Sequence, residues 1–409
     1  MLNKDNQREL AYIVTVDNVT AIEGYDRVEL AHVGGWTIVV GKGQFESGSS
    51  AIYFEIDSKL PEVEPFINME FLVKKKLKIK TQKMCKSYSQ GLLIHPSEFG
   101  WEVQVEPVGG VRTEVVIDDE GTAHYPDDES RFLTKKLGVT YAVVEDNRRK
   151  AKSGDKYNKM AQRHKELFSK QPYKWLMRRD WGRKFLFIFY GKKKDGRNWP
   201  DWVKKTDEER VENMPYILND KEPWIATEKI DGTSTTFTMK RKRFGKNEFY
   251  VCSRNVVFDK PGKECFYDTN VYLEMAERYK AEEVLNQLLV DNPNWEWVTI
   301  QGETYGEGIQ KNSYDNPYHD FMAFNLVNSV NGRVGTLEMG EILKDTPIPV
   351  VPILDENYIL PDTVEELRDY VRSEKSVLND KIKEGIVFRK PDGSTSFKCV
   401  DPEYLMKYH

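Results

Sequence analysis

The run Glu228-Lys229-Ile230-Asp231-Gly232 decides how the rest of this chain is read. It holds a lysine between two strand-like stretches, Trp224-Ile225-Ala226-Thr227-Glu228 before it and Thr233 to Met239 after it. Asp231-Gly232 supplies the turn, and glycine allows a tight bend and a close approach to phosphate. A lysine placed this way becomes a nucleophile once it is neutral. Burial or neighbouring cations must pull its pKa down from about 10.4. Attack on the α-phosphorus of a nucleotide would then store the nucleotide's energy in a phosphoramidate. K-x-D-G alone is a weak signal, equally at home in an ordinary hairpin.

Five further runs follow in order. They are Ser253-Arg254-Asn255, Gln301-Gly302-Glu303-Thr304-Tyr305-Gly306, Asp320-Phe321-Met322-Ala323-Phe324-Asn325, Lys383-Glu384-Gly385-Ile386-Val387-Phe388-Arg389 and Ser396-Phe397-Lys398. With the lysine run they resemble the ordered motifs of the covalent nucleotidyltransferase superfamily, which comprises RNA ligases, DNA ligases and capping enzymes. The resemblance spans about residues 205–409.

That resemblance implies ATP as the nucleotide and Mg²⁺ or Mn²⁺ as the ion. Lys229 is the implied nucleophile, and Lys398 the contact to the α-phosphate that offsets transition-state charge. Arg254 would grip an RNA 5′-phosphate, where a fork of donors suits the ligand. Glu303 would reach the ribose or the ion's water shell, and Phe324 would stack on adenine. Asp231 and Glu384 would hold the hydrated ion with Glu303. Glu228 would read the adenine amino group. Arg210, on a helix expected from Thr206 to Asn213, would orient pyrophosphate. Phe324 also reads as a core aromatic beside Phe321, and Arg254 and Arg210 as surface cations. One position departs from the pattern. Many relatives carry two lysines in the last motif, and here the first position is Ser396. The second phosphate contact must come from elsewhere, with Lys383, Lys390 and Arg389 as candidates.

DNA ligases and capping enzymes place an OB domain after the last motif, whereas only 11 residues follow Lys398 here. The β-like runs come first instead: Ala11 to Val16, Arg27 to Val33, Trp36 to Val40 and Ala51 to Ile56, separated by Gly and Asp/Asn turn signals. This order, with Pro402-Glu403-Tyr404-Leu405 after Lys398, resembles an RNA ligase family with an N-terminal OB-fold domain that seals 3′-OH/5′-phosphate nicks. The expected fold class is α+β. An OB-fold β-barrel domain over 1–145 precedes a basic linker or helix over 146–170. A nucleotidyltransferase domain of the ATP-grasp-like ligase adenylation type then fills 171–409. A capping-type or DNA-ligase-type transferase, or an inactive nucleic-acid-binding module, is the alternative.

Composition agrees with a polyanion partner. The net charge is −5, yet Arg148 to Lys205 holds 20 Lys and Arg against five Asp and Glu. A basic belt in an acidic protein fits RNA, and a solvated helical face fits equally. The alternation Val73-Lys74-Lys75-Lys76-Leu77-Lys78-Ile79-Lys80 predicts a strand presenting lysines to phosphates or guarding a sheet edge. Helices are expected over Arg131–Leu137, Val271–Leu289 and Val364–Asp380. No stretch approaches the ~20 apolar residues of a membrane span. The N-terminus lacks a signal-peptide core. Cys85, Cys252, Cys265 and Cys399 lack metal-ligand spacing and read as free thiols. A monomeric protein of a reducing compartment such as the cytoplasm is expected, not a secreted one.

Overall fold

The lysine run does not form a hairpin; it crosses from one β-sheet to another. In the computed structural model the described residues are 1–408, apart from 6, 109–110, 143–166, 168–169, 178, 191–198, 206, 259–266 and 268. The linker expected at 146–170 therefore lies, except for residues 167 and 170, outside the described residues, as does Cys265. Cys85 and Cys399 are free thiols.

The N-terminal part is built from short strands. Ala11–Thr15 (β1), Ser50–Phe54 (β5) and Leu92–Ile94 (β6) form one antiparallel sheet in the order β1-β5-β6. Asn18–Ile22 (β2), Tyr25–Val33 (β3) and Trp36–Gly41 (β4) form a second. Tyr12, Val14, Ala31, Trp36, Ile38 and Tyr53 share a core between them. The stretch 73–80 is not the expected strand. Helix α1 covers Glu70–Lys74, and a turn follows in which Lys76 and Leu77 take φ of 55° and 58°. The period-2 signal came from Leu77 and Ile79 alone, which bury beside Leu72 and Phe66. Lys74, Lys75, Lys76 and Lys80 still point to solvent. Arg131–Leu137 is likewise not a helix, but a short 3-10 turn over Glu129–Arg131 followed by irregular chain.

Two short helices, Tyr173–Met177 (α2) and Asp180–Tyr190 (α3), precede the C-terminal sheets. Glu209–Arg210 (β7) is a strand and not the predicted helix, because it pairs in parallel with Ser396–Val400 (β17), which offers partners for its backbone. Between them in sequence come Trp224–Lys229 (β8), Thr233–Lys240 (β9), Glu248–Ser253 (β10), Val257–Phe258 (β11), Trp297–Tyr305 (β12), Asp320–Asn328 (β13), Gly332–Arg333 (β14), Ile353–Tyr358 (β15) and Gly385–Arg389 (β16). They make a five-stranded sheet in the order β7-β17-β16-β8-β15 and a six-stranded sheet in the order β11-β10-β9-β12-β13-β14.

Each sheet buries one face against helices. Phe237, Met239, Ile300 and Phe321 pack on Val271–Arg278 (α4) and Ala281–Asp291 (α5). These two helices replace the single one expected, because Lys280 adopts a left-handed φ of 48° between them. Trp224, Ala226, Ile386, Phe388 and Phe397 pack on Val364–Ser373 (α7). Thr336–Leu343 (α6) lies beside the larger sheet, and Pro402–Tyr408 (α8) follows β17. Strand alternation then turns Thr227, Lys229, Val387, Arg389 and Lys398 away from α7, toward the other sheet.

The N-terminal sheets dock on this assembly through buried polar groups. Nη2 of Arg368, on α7, is held by Glu212 of the same assembly at 2.9 Å and reaches Gln90 at 2.8 Å and the Gly35 carbonyl at 3.2 Å on the N-terminal side. Trp36 Nε1 donates to Asn213 at 2.6 Å. Among the described residues no helix is long and apolar enough to cross a membrane.

Candidate active site

A cavity of about 350 Å³ lies between the two C-terminal sheets. Such a volume falls at the lower end for a small-molecule site. Lys229, Glu228, Arg254, Glu303, Phe324 and Lys398 all line it. Six of the ten residues singled out in the sequence thus meet at one place, from strands far apart along the chain.

Lys229 ends β8 opposite Gly385, and its side chain is 24% exposed. Its Nζ donates to Glu384 Oε2 at 2.6 Å. Burial opposes the ammonium, but Glu384, Glu303 and Asp231 outweigh it and raise the lysine pKa above its ordinary value. Glu303 sits next to this charge on β12. Burial, with help from Glu384 and Asp231, pushes its carboxyl up to about 8 against the pull of Lys229. Gly232 serves a different purpose from the one its sequence suggests. A Cβ there would stand 2.3 Å from the carbonyl oxygen of Thr304, so the close approach is to β12.

The alternation of β13 puts Phe321 and Phe324 on opposite faces. Phe321 is fully buried in the helix-covered core, whereas Phe324 is half-buried on the opposite face and lines the cavity. Glu228 lines it too, with its carboxylate held by neighbours. Oε1 accepts from the Ser376 hydroxyl at 2.5 Å and Oε2 from the Val377 amide at 2.9 Å. This explains why α7 ends at Ser373 and does not run on to Asp380: the chain folds back to meet Glu228. Burial raises the Glu228 pKa.

Across the cavity Lys398 Nζ donates to Asp207 Oδ1 at 2.8 Å, and Arg254 Nη2 donates to Asp207 Oδ2 at 3.0 Å. Burial, with Arg8, Arg210 and Lys229 nearby, lowers the Lys398 pKa to about 8 even though Asp207 favours its charge. Burial works against the Asp207 carboxylate, but Lys398, Arg8 and Arg254 hold it far below the usual range.

Four expected residues do not line the cavity. Arg210 points to the N-terminal sheets, 3.7 Å from Asp57 and over the Trp36 ring, because β7 turns it to that side. Lys383 is 1% exposed and donates to the Glu374 carbonyl. Asp231 Oδ2 accepts from the Tyr404 hydroxyl at 2.9 Å. Glu384 stands behind Lys229 and reaches the site through that lysine. Of the candidates for the second phosphate contact, Arg389 lines the cavity, whereas Lys390 pairs with Asp220 at 2.7 Å. Ser396 belongs to the same cluster: its hydroxyl accepts from Arg333 at 2.7 Å and donates to Glu208, which also bonds Arg389 at 3.4 Å.

Sequence reasoning missed Asp207 and Glu208 as parts of the site, and Tyr404 as the partner that holds Asp231. The acidic pair reads as the first turn of a helix, and only its pairing beside β17 reveals it. Tyr141, from the N-terminal part, also lines the wall.

Residues 222–409 match the RNA ligase family, and residues 10–96 match an OB-fold domain. The C-terminal domain belongs to the RNA ligase family. The ligase is similar to solved structures of the RNA ligase of Naegleria gruberi. One with PPi gives a TM-score of 0.69 at 25% identity, covering 98% of this chain and 99% of that one. A mutant with ATP and Mn gives 0.68 at 25% identity, and a mutant with AMP and Mn gives 0.67 at 25% identity, each over the same shares of both chains. No curated protein sequence matches the chain. The N-terminal sheets of the ligase are therefore an OB-fold domain, and the enzyme class is RNA ligase.

Proposed function

We propose that this ligase seals 3′-OH/5′-phosphate RNA breaks, chiefly nicks in duplexes, using ATP and acting as a monomer. In this reading residues 1–145 hold RNA, 146–170 connect, and 171–409 carry the transferase chemistry. The observation that supports it best is Lys229 opening into a cavity lined also by Phe324, Glu303, Lys398, Arg254 and Arg389.

Lys229 Nζ attacks the α-phosphorus, an N–P bond forms, and the P–O bond to pyrophosphate breaks. Glu384 Oε2, 2.6 Å from Nζ, is placed to take the lysine proton. Phe324 would stack on adenine, with Glu228 at its edge. Lys398 and Arg389 would offset charge on the phosphate. An RNA 5′-phosphate oxygen, gripped by Arg254, then displaces Lys229 from AMP and leaves an A(5′)pp(5′)RNA end. The 3′-OH attacks the 5′-phosphate and AMP departs. Each step is an in-line displacement driven by positioning.

The donor set suits a hydrated divalent ion. Glu303, Glu384 and Asp231 all act electrostatically on Lys229. Among the described residues no group of three or more His, Cys, Asp or Glu converges to hold a bare ion, so these carboxylates would act through the ion's waters. When bound, Mg²⁺ or Mn²⁺ supplies positive charge that favours neutral Lys229. Arg210 and Lys383 would then support the site from behind.

Label from α-labelled ATP should transfer to the protein and vanish in Lys229→Ala. Transfer from GTP and not ATP overturns the reading in favour of a capping-type enzyme. Nicked duplexes with RNA or DNA varied on each side test the branch. Sealing should require RNA at the 3′-OH side, and equal sealing of all-DNA nicks would point to a DNA ligase.

A further inference from the structure

The basic belt contains an aromatic surface that the ligation chemistry does not use. On α2 and α3, Trp175 is 44% exposed, Trp181 55% and Phe185 49%. The two tryptophan rings meet edge-to-face, 5.9 Å apart at 80°. The Arg179 guanidinium lies 3.9 Å from the Trp175 centroid. The two helices are tightly joined: a Cβ on Gly182 would stand 2.3 Å from the Leu176 carbonyl oxygen. Leu186, one residue beyond exposed Phe185, is 2% exposed and anchors α3. The approach of Gly182 to Leu176 and the burial of Leu186 therefore fix the two helices from which the tryptophan rings project.

Exposed tryptophans cost solubility unless they meet a partner. Here they are interleaved with Lys170, Lys174, Arg179 and Lys184, all exposed, within a segment carrying 20 cations against five anions. Flat rings offer faces on which any unpaired base stacks, and cations track the phosphates beside them. Bases inside a duplex present no free face.

We propose that Trp175 on α2 and Trp181 on α3 form a stacking platform for unpaired bases of the RNA substrate. Among duplex nicks, the ligase would thereby bind those flanked by single-stranded RNA more tightly than those in continuous duplex. The proposal rests on the RNA ligase reading above for its substrate.

The test uses the full chain and Trp175→Ala/Trp181→Ala. Binding is measured to single-stranded oligoadenylate and to a fully paired nicked RNA duplex, alongside label transfer from ATP to Lys229. Oligoadenylate affinity should fall about tenfold or more for each stacked base lost. Duplex binding and label transfer should hold, and Trp175→Phe/Trp181→Phe should restore oligoadenylate binding. If the double variant loses label transfer, its fold is damaged and Trp181→Ala alone carries the comparison. Unchanged oligoadenylate binding, or an equal loss on both RNAs, overturns the proposal. So does unchanged oligoadenylate binding with lost binding to phosphatidylserine vesicles, which would assign the surface to a membrane. A wild type that transfers no label defeats the ligase reading, while the two RNA affinities still judge the platform.

Discussion

Lys229 faces two opposed requirements. It must be neutral to attack, yet Glu384 at 2.6 Å and Glu303 nearby favour its charge. Glu303 bears the counterpart of this conflict. Its carboxyl, raised from 4.5 to about 8, binds a proton more tightly folded than unfolded. The folded state therefore loses relative stability as pH climbs from about 4.5 to 8, and the loss is complete above that window. Glu303→Gln removes the titration. With chelator present, its melting temperature should exceed that of the wild type by a margin that widens from pH 5 to 8 and then levels off. Melts followed by circular dichroism at each pH test this, and a constant margin would contradict it. Some residues of the cavity were legible in the sequence. Lys229, Glu303 and Lys398 each sit in a run that resembles a motif of the superfamily, and all three line the cavity. Asp207 was not, because its meaning depends on Lys398 and Arg254, 191 and 47 positions away.

At the scale of elements, the decisive event is the crossing from β8 to β9. Sequence showed two strands and a turn, and a hairpin fits that pattern as well. Only the pairing of β8 with Gly385–Arg389 and of β9 with Trp297–Tyr305 sends them to different sheets and leaves Lys229 between. Ile230-Asp231-Gly232 is the joint, and Gly232 lies against β12. Gly232→Ala should displace that joint. Misplacement by about 1 Å costs on the order of 100-fold in rate, so adenylation should fall by that factor while overpacking lowers stability by ~1–3 kcal/mol. Single-turnover label transfer beside urea melts separates the two. The split of the expected 271–289 helix at Lys280 and the early end of α7 were hidden for the same reason. Both follow from packing partners that a one-dimensional pattern does not contain.

At the scale of the molecule, a buried ion pair of the ligase domain holds the arginine whose Nη2 also reaches Gln90 and the Gly35 carbonyl of the OB-fold domain. Arg368 and Glu212 are 3% and 0% exposed and 2.9 Å apart. Removing one partner strands the other, at a cost of about 3–5 kcal/mol. Arg368→Met should lower urea stability by that amount, and Arg368→Met/Glu212→Gln by clearly less. A loss below ~1 kcal/mol for the single variant would mean that the two domains are held chiefly by Trp36, Tyr12 and their apolar neighbours. The domain order was legible, because β-like runs precede the lysine. The docking was not, since Gly35, Gln90, Glu212 and Arg368 carry no signal until they meet.

Asp207 has a consequence for inhibitor discovery. Its two oxygens already satisfy Lys398 and Arg254. An anionic fragment aimed at those cations must compete with a carboxylate tethered to the protein, whose effective concentration no soluble compound matches. A neutral scaffold that fills the space against Phe324 faces no such rival. Screening should therefore begin on the aromatic wall and grow toward the cations, with the acidic group added last.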